Sequence, residues 1–239
     1  MSFLKNCLPS NAHGQVVAAK EHTYNVIIMM HGLGDSEYSF AHAAKNIPLP
    51  NTSYISLRGV YRLPLDFGTP EGNWMWGEDV HFDTNGDLES EADFSKCLSV
   101  LKELIKGIID QGILSTRIFF FGFGQGGMAA LYCVSQLASI YQFGGVFSFG
   151  GKLPLAMTLP SSPFMTSVYF FEKRKNSSID DYEEGRLKKT FRSVQRICWN
   201  RDEKTDMPSS PNEWFVFVEA ISKKLYVHNK LYEDAIQLS

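Results

Sequence analysis

Short apolar runs recur along the chain, and most are bounded by glycine, proline or polar residues. The clearest is Val-Ile-Ile-Met-Met at 26–30, which has no polar position within it. An unbroken apolar run of this length is typical of a strand that is buried on both faces of a parallel sheet. The pattern predicts strands over 26–30, 53–57, 117–121, 144–149, 167–171 and 194–199.

Other stretches place apolar residues at every third or fourth position, which is the period of a helix packed on a core. The residues 94–108 follow this pattern, with a capped start at 90–93. Further helices are predicted over 125–137, near 180–191 and over 211–225. In the last of them Ser210 and Glu213 form a capping box, and Pro211 occupies the first turn. We expect that helix to bury four apolar residues, Trp214, Phe217, Val218 and Ile221.

Strands and helices therefore alternate, which predicts an α/β protein with a mainly parallel, doubly wound sheet flanked by helices. The length of 239 residues suits one domain over 1–239. Its core would span about 24–225, and 226–239 would form a C-terminal tail. A long irregular stretch at 58–88 carries Trp74 and Trp76, and long loops in compact domains are often functional.

Composition narrows the classes of function. The chain is 44% hydrophobic and has a net charge of −3, so it has no basic surface for a nucleic acid or an anionic membrane. No apolar run approaches the ~20 residues that span a bilayer, and no signal segment is evident. We therefore expect a cytoplasmic protein, with a nuclear location as a further alternative, and no integral membrane contact. The four cysteines are Cys7, Cys97, Cys133 and Cys198; their scattered positions suggest reduced thiols rather than a disulfide frame.

The most informative segment is Phe-Phe-Phe-Gly-Phe-Gly-Gln-Gly-Gly at 119–127. It predicts a buried strand, a sharp glycine-rich turn and then a helix, which is the context of the G-x-S-x-G nucleophile elbow. The position of the serine is occupied by Gly124. Glycine adopts the strained backbone of such a turn without a Cβ penalty. The turn is thus predicted to persist without its nucleophile.

Three segments together resemble one family: His-Gly-Leu-Gly-Asp at 31–35, Trp-Gly-Glu-Asp at 76–79 and Gly-Phe-Gly-Gln-Gly-Gly at 122–127. Their order and separation resemble the phospholipase/carboxylesterase family, which includes the acyl-protein thioesterases. The resemblance covers about 24–225. The segments at 56–58 and 74–77 are closer to a divergent fungal-type branch. The resemblance implies an α/β-hydrolase fold, an ancestral Ser-His-Asp site and ancestral specificity for acyl esters or thioesters.

In this fold the catalytic groups follow the chain order Ser, Asp or Glu, His. The nucleophile position holds Gly124. The position of the acid falls near Lys175 or Asn176, and that of the base at or near Met207. Because all three groups are replaced, the leading hypothesis is a pseudo-hydrolase.

The oxyanion hole of this fold is built from backbone N–H groups, here those of Leu33 and Gln125. Together with Trp76 they are the predicted ligand-binding residues. The expected ligand is an acyl ester, a thioester or an acylated protein, and a protein partner is a further expectation.

Two other functions stay open. One is an active ester or thioester hydrolase with a rearranged site, in which Glu172 or His228 reaches the reacting groups. The other is a scaffold or complex subunit without a small ligand.

Further candidate groups have plainer interpretations. Cys133 lies two turns into the helix after the elbow, where free cysteines are most often inert. Ser36 and Ser148 lack a suitably placed histidine. A cluster of two histidines and two acids, His31, His81, Asp35 and Glu78, matches no metal-ligand spacing, and we expect neither a metal nor a cofactor.

Overall fold

The computed structural model describes residues 3–63, 73–78, 93–173, 179–199 and 205–227. Its strands are β1 (Gly14–Val17), β2 (Asn25–Met30), β3 (Thr52–Leu57), β4 (Tyr61–Arg62), β5 (Trp74–Met75), β6 (Ile118–Phe123), β7 (Gly145–Phe149), β8 (Phe164–Lys173) and β9 (Phe191–Trp199). Its α-helices are α1 (Glu37–Lys45), α2 (Ser95–Asp110), α3 (Gln125–Leu137), α4 (Asp181–Thr190) and α5 (Pro211–Ser222). Two short 3₁₀ turns cover Phe3–Cys7 and Ser115–Arg117.

Seven of the strands form one twisted sheet in the order β1-β3-β2-β6-β7-β8-β9. Only β1 runs antiparallel to its neighbour, and the other pairs in this sheet are parallel. Because side chains alternate across a strand, β6 points Phe120 to one face and Phe121 to the other. The helices α2, α3 and α4 cover the first face, and α1 and α5 cover the second. The predicted α/β class with a doubly wound sheet is confirmed.

All six predicted strands are present, and the predicted helix 125–137 coincides with α3. The helix α5 begins at Pro211 as predicted but ends at Ser222. It buries Phe217 and Ile221, whereas Trp214 and Val218 are only half-buried. The prediction that all four would be buried was therefore wrong, because this helix lies on the outside of the sheet and its flanks face solvent.

The strand β1, the helix α1 and the β4–β5 hairpin were not predicted from the sequence. All four residues of β1 pair with β3, so the sheet begins before residue 24. These elements are short, and short elements give little periodicity to detect. The predicted start of α2 is only partly described: Asp93 accepts hydrogen bonds from the Ser95 N–H and hydroxyl, and 90–92 lie outside the described residues.

The segment after α5 is attached to the start of β2. The Asn25 side chain is fully buried, and its amide donates to the Tyr226 carbonyl at 2.8 Å and accepts from the Tyr226 N–H at 2.9 Å. The Tyr226 ring lies edge-on to Tyr24. Of the predicted tail, 228–239 lies outside the described residues. Within the described ranges, no helix is both long enough and apolar enough to cross a bilayer.

Candidate functional site

Gly124 forms the turn between β6 and α3, and its backbone has φ 51° and ψ −120°. Its N–H donates to the Phe149 carbonyl at 2.9 Å, and its carbonyl accepts from the Met128 N–H at 3.0 Å. A Cβ added at Gly124 would meet no atom within 4 Å. The backbone conformation of a nucleophile elbow is therefore present, with open space where the nucleophile would stand. We call Leu33, Trp76, Gly124 and Gln125 the elbow site.

The turn is held by close backbone packing around it. A Cβ on Gly126 would collide with the carbonyl oxygens of Met30 and His31 at the end of β2. A Cβ on Gly151, just after β7, would lie 2.5 Å from the Gly124 carbonyl. Since neither contact tolerates a side chain, α3 is locked against the ends of its two neighbouring strands.

His31 is a structural residue beneath the elbow. Its Nδ1 lies 2.7 Å from the Gly32 carbonyl, and its Nε2 accepts from the Gly59 N–H at 3.0 Å. These partners fix the neutral tautomer with the proton on Nδ1. Burial lowers the pKa of His31 below its ordinary value. Both ring nitrogens are used by the backbone, so His31 is unsuited to act as a base for a group at Gly124.

Trp76 connects the long-loop region to the elbow. Its indole Nε1 donates to the His31 carbonyl at 2.7 Å, and its backbone N–H donates to Gln125 Oε1 at 2.7 Å. Both Trp76 and Gln125 are 1% exposed. The predicted ligand-binding residues Trp76 and Gln125 thus touch each other at the start of α3.

The amide nitrogen of Gln125 is the unusual group of this site. Nε2 is buried and has no hydrogen-bond partner within the described ranges. The backbone N–H groups of Leu33 and Gln125 likewise donate to no acceptor in the described part of the chain. Gln125 is the first residue of α3, where an N–H has no intrahelical acceptor. In the described ranges these two N–H groups have no acceptor, and their role as oxyanion donors stays a prediction.

A buried ion pair fixes the β4–β5 hairpin beside the site. Arg58 donates from Nε and Nη2 to the two carboxylate oxygens of Glu37, at 2.8 and 2.6 Å, and Glu37 is 1% exposed. The Arg58 guanidinium also lies over the Trp74 ring, 4.7 Å from its centroid. Trp74 in turn accepts a hydrogen bond from the Gly34 N–H through its carbonyl. These contacts hold the loop that contains Leu33.

The positions predicted for the base and the acid carry no catalytic histidine–acid pair in the described ranges. Met207 is half-buried and packs against the apolar layer on the α1 and α5 side of the sheet. The acid position at Lys175 or Asn176 lies outside the described residues, as do His228 and His81. Within the described residues, no group of three or more His, Cys, Asp and Glu side chains could hold a metal ion.

Glu172, the acid of the rearranged-hydrolase hypothesis, lies within β8 and is fully buried. Arg196 on β9 donates from Nε to its carboxylate and from Nη1 to Glu184 at 2.7 Å. The Cys198 thiol lies 3.5 Å from the same Glu172 oxygen. The carboxylate of Glu172 therefore serves to join the last two strands.

Asp206 lies close to the elbow, although the sequence analysis did not single it out. Its Oδ1 accepts from the Lys173 N–H at 2.7 Å, and its carbonyl accepts from Trp199 Nε1 at 2.6 Å. Its Oδ2 stands against Gly150, where a Cβ would collide with it. Phe149, which bonds to Gly124, precedes Gly150. The signal in the sequence was the place of Asp206, one residue before the base position.

The remaining candidates are structural. Ser148 is fully buried and donates to the Gly151 carbonyl at 2.8 Å. Ser36 is buried at the start of α1, where its N–H donates to Asp35. Cys133 is fully buried, and burial raises its pKa well above the ordinary value, which disfavours the thiolate.

Comparison with known proteins is consistent with this geometry. A model of the phospholipase/carboxylesterase family matches residues 11–229. An uncharacterised hydrolase of Schizosaccharomyces pombe is 63% identical over 239 residues, which cover 100% of this chain and 99% of that protein. Acyl-protein thioesterase 1 of Emericella nidulans is 33% identical over 132 residues, which cover 49% of this chain and 52% of the thioesterase.

Two solved structures show the same fold. Acyl-protein thioesterase 2 of Zea mays has a TM-score of 0.67 at 20% identity, over 90% of this chain and 99% of that one. A carboxylesterase of Bacillus cereus has a TM-score of 0.66 at 15% identity, over 94% of this chain and 100% of that one.

Proposed function

The chain belongs to the phospholipase/carboxylesterase family, and we propose that it binds an acyl ligand at the elbow site without hydrolysing it. The observation that carries this proposal is Gly124, which keeps the elbow backbone and has no side chain. Acyl transfer on this fold needs an attacking atom, a base and a group that orients the base. The ester, thioester or acylated protein bound by such a site would stay intact.

The other candidate groups support the same proposal. Met207, at or near the predicted position of the base, has a thioether, which cannot take up a proton from a nucleophile. Glu172 is committed to Arg196. His31 uses both ring nitrogens in backbone contacts.

The groups that would hold the acyl carbonyl are present. The Leu33 and Gln125 N–H groups are open donors, and α3 directs the positive end of its dipole to the same place. Such donors bind a carbonyl oxygen whether or not a nucleophile stands beside it. Trp76 is buried in the core beside Gln125, to which its N–H donates.

Hydrolysis of p-nitrophenyl butyrate and of palmitoyl thioesters tests the loss of catalysis. We expect the wild type and Gly124→Ser to show no turnover above background. The double variant Gly124→Ser/Met207→His restores a nucleophile and a base, and a general base contributes about 10²–10⁴-fold. Turnover by the wild-type protein at the rate of an active esterase would overturn the proposal.

Binding is tested separately by fluorescence competition with a non-hydrolysable ketone analogue of palmitoyl-cysteine, in which a methylene group replaces the thioester sulphur and the carbonyl is kept. Gln125→Pro deletes the N–H at the first position of α3, where proline is accepted. Gln125→Ala is the matched control, because it removes the same side chain and keeps the N–H. We expect the proline variant to bind at least about tenfold more weakly than the alanine variant, which corresponds to one lost hydrogen bond to a polar ligand. If the wild type does not bind the analogue, the scaffold function is favoured instead.

A further inference from the structure

The hydrogen bonding of the Gln125 side chain indicates which chemical group would bind at the elbow site. The Trp76 N–H must donate to an acceptor, so the amide oxygen is the atom that faces Trp76 and Nε2 is the other end. That end carries two N–H groups in a residue that is 1% exposed, with no acceptor among the residues described. Buried amide nitrogens in folded proteins nearly always have a partner. A hydrogen-bond acceptor on a ligand at this position would give Nε2 the partner that it lacks among the described residues.

The surroundings of Nε2 favour an anionic acceptor. Nε2 belongs to the first residue of α3, a helix of 13 residues whose N-terminus attracts negative charge. The backbone N–H groups of Leu33 and Gln125 add two more open donors. His31 adds no charged donor, since both of its ring nitrogens are held by the backbone.

Nearby carboxylates are already engaged. Glu37 is paired on both oxygens with Arg58. Asp206 accepts from the Lys173 N–H through Oδ1, and its Oδ2 stands against Gly150. Among the described residues, no carboxylate accepts from the donors at the start of α3.

We infer that the elbow site binds a free acyl carboxylate, a fatty acid in its ionised form, in preference to an ester of the same chain. This inference rests on the proposed function and names its ligand class. The two carboxylate oxygens accept from Nε2 and from the backbone N–H groups, and the open space at Gly124 admits the head group that a serine side chain would obstruct. An ester offers one carbonyl oxygen and no charge, and charge-assisted hydrogen bonds are about twice as strong as neutral ones.

Calorimetric titration with octanoate, octanamide and methyl octanoate tests the inference on the full chain, and acetate shows whether the head group alone is bound. We expect octanoate to bind at least about tenfold more tightly than methyl octanoate, with octanamide between them. Gln125→Met keeps the side-chain length and removes the donor, and we expect it to abolish this preference. The matched control is Gln136→Met, the same exchange at the exposed far end of α3.

The outcomes separate the two proposals. Equal binding of octanoate and methyl octanoate, unchanged in Gln125→Met, would overturn the carboxylate inference and leave acyl binding in place. Tighter binding of the ester would do the same. Failure of all three octanoyl compounds to bind, in a protein with normal thermal unfolding, would overturn both. Binding of acetate as tight as that of octanoate would show an anion site without acyl specificity, which also overturns the inference.

Discussion

The two halves of the sheet's carboxyl edge differ in what they retain. On the side of β2 and β6, the loop after His31, the turn at Gly124 and the start of α3 are joined by short backbone contacts. On the side of β8 and β9, where the acid and the base of the family would stand, the described positions hold Met207, Asp206 and the Glu172–Arg196 pair. The first half holds the groups that we propose bind the ligand, and the described part of the second holds no histidine–acid pair of the kind expected of a triad.

The contrast follows from how each half is built. Backbone N–H groups and glycine contacts depend on the path of the chain, which the packing of β2, β6 and α3 fixes. A triad depends on single side chains, which can change without disturbing the fold. A protein of this kind can therefore lose hydrolysis and still present an oxyanion-type site.

The largest effect should come from the retained half. Gly126→Ala places a methyl group against two backbone carbonyls, which cannot move without shifting β2. We expect it to destabilise the protein by about 4 kcal/mol, in the range of severe core changes. Gly185→Ala in α4, where nothing lies within 4 Å, should instead stabilise by about 0.5–1 kcal/mol. Urea unfolding of both variants measures the difference, and equal effects would contradict the close packing at the elbow.

In the other half, Arg196→Met should cost about 3 kcal/mol, because it leaves Glu172 buried without its main cation. The double variant Glu172→Leu/Arg196→Met should recover most of that loss. Chemical unfolding of the single and double variants tests whether Glu172 is structural. A single variant as stable as the wild type would reopen its catalytic role.

At the boundary between the halves, Gly124→Ser should cost about 1–3 kcal/mol. The site has room for the side chain, so the cost is the strain of a non-glycine residue at φ 51°. Gly124→Ala should lose a similar amount if backbone strain is the cause. A much larger loss would mean that the open space at Gly124 is occupied by other groups in solution.

The smallest effect is a pH dependence carried by His31. Its pKa is lowered by burial, so the unfolded chain binds the proton more readily than the folded one. The stabilising effect of neutral His31 is complete above its ordinary pKa of 6.5 and is lost as the pH falls below it. Between pH 7.5 and 5.5 the loss should be at most about 1.4 kcal/mol.

The His31 prediction is checked by measuring unfolding at both pH values in the wild type and in His31→Asn. Because other groups also titrate, the difference between the two proteins is the informative quantity. An NMR titration of the His31 ring gives a direct reading if the variant folds poorly. Protonation of the folded protein near pH 6.5 would contradict the assignment.

The residues that the sequence could predict are those whose role is set by local pattern. The apolar run at 26–30 and the glycines at 122–127 gave the central strands, the elbow and α3, because buried strands and tight turns leave strong local signals. The family resemblance named Leu33, Gln125 and Trp76 as ligand-binding residues, and that role stays a prediction. Asp206 and the Gln125–Trp76 bond were not predictable, since they depend on contacts between segments far apart in the chain. The short strand β1 was missed for lack of periodicity.

The position of β2 between β3 and β6 has a consequence for how the sheet forms during synthesis on the ribosome. β2 pairs with β3 through Val26 and Ser53, 27 positions apart, and with β6 through Val26 and Ile118, 92 positions apart. Closing the longer loop costs more chain entropy, and β2 can pair with β6 only after the ribosome has synthesised residue 118 and those that follow. One edge of β2 therefore stays unpaired during translation until β6 has been synthesised. The hydrogen bonds between Asn25 and Tyr226 form later still, because Tyr226 lies 201 positions further along the chain.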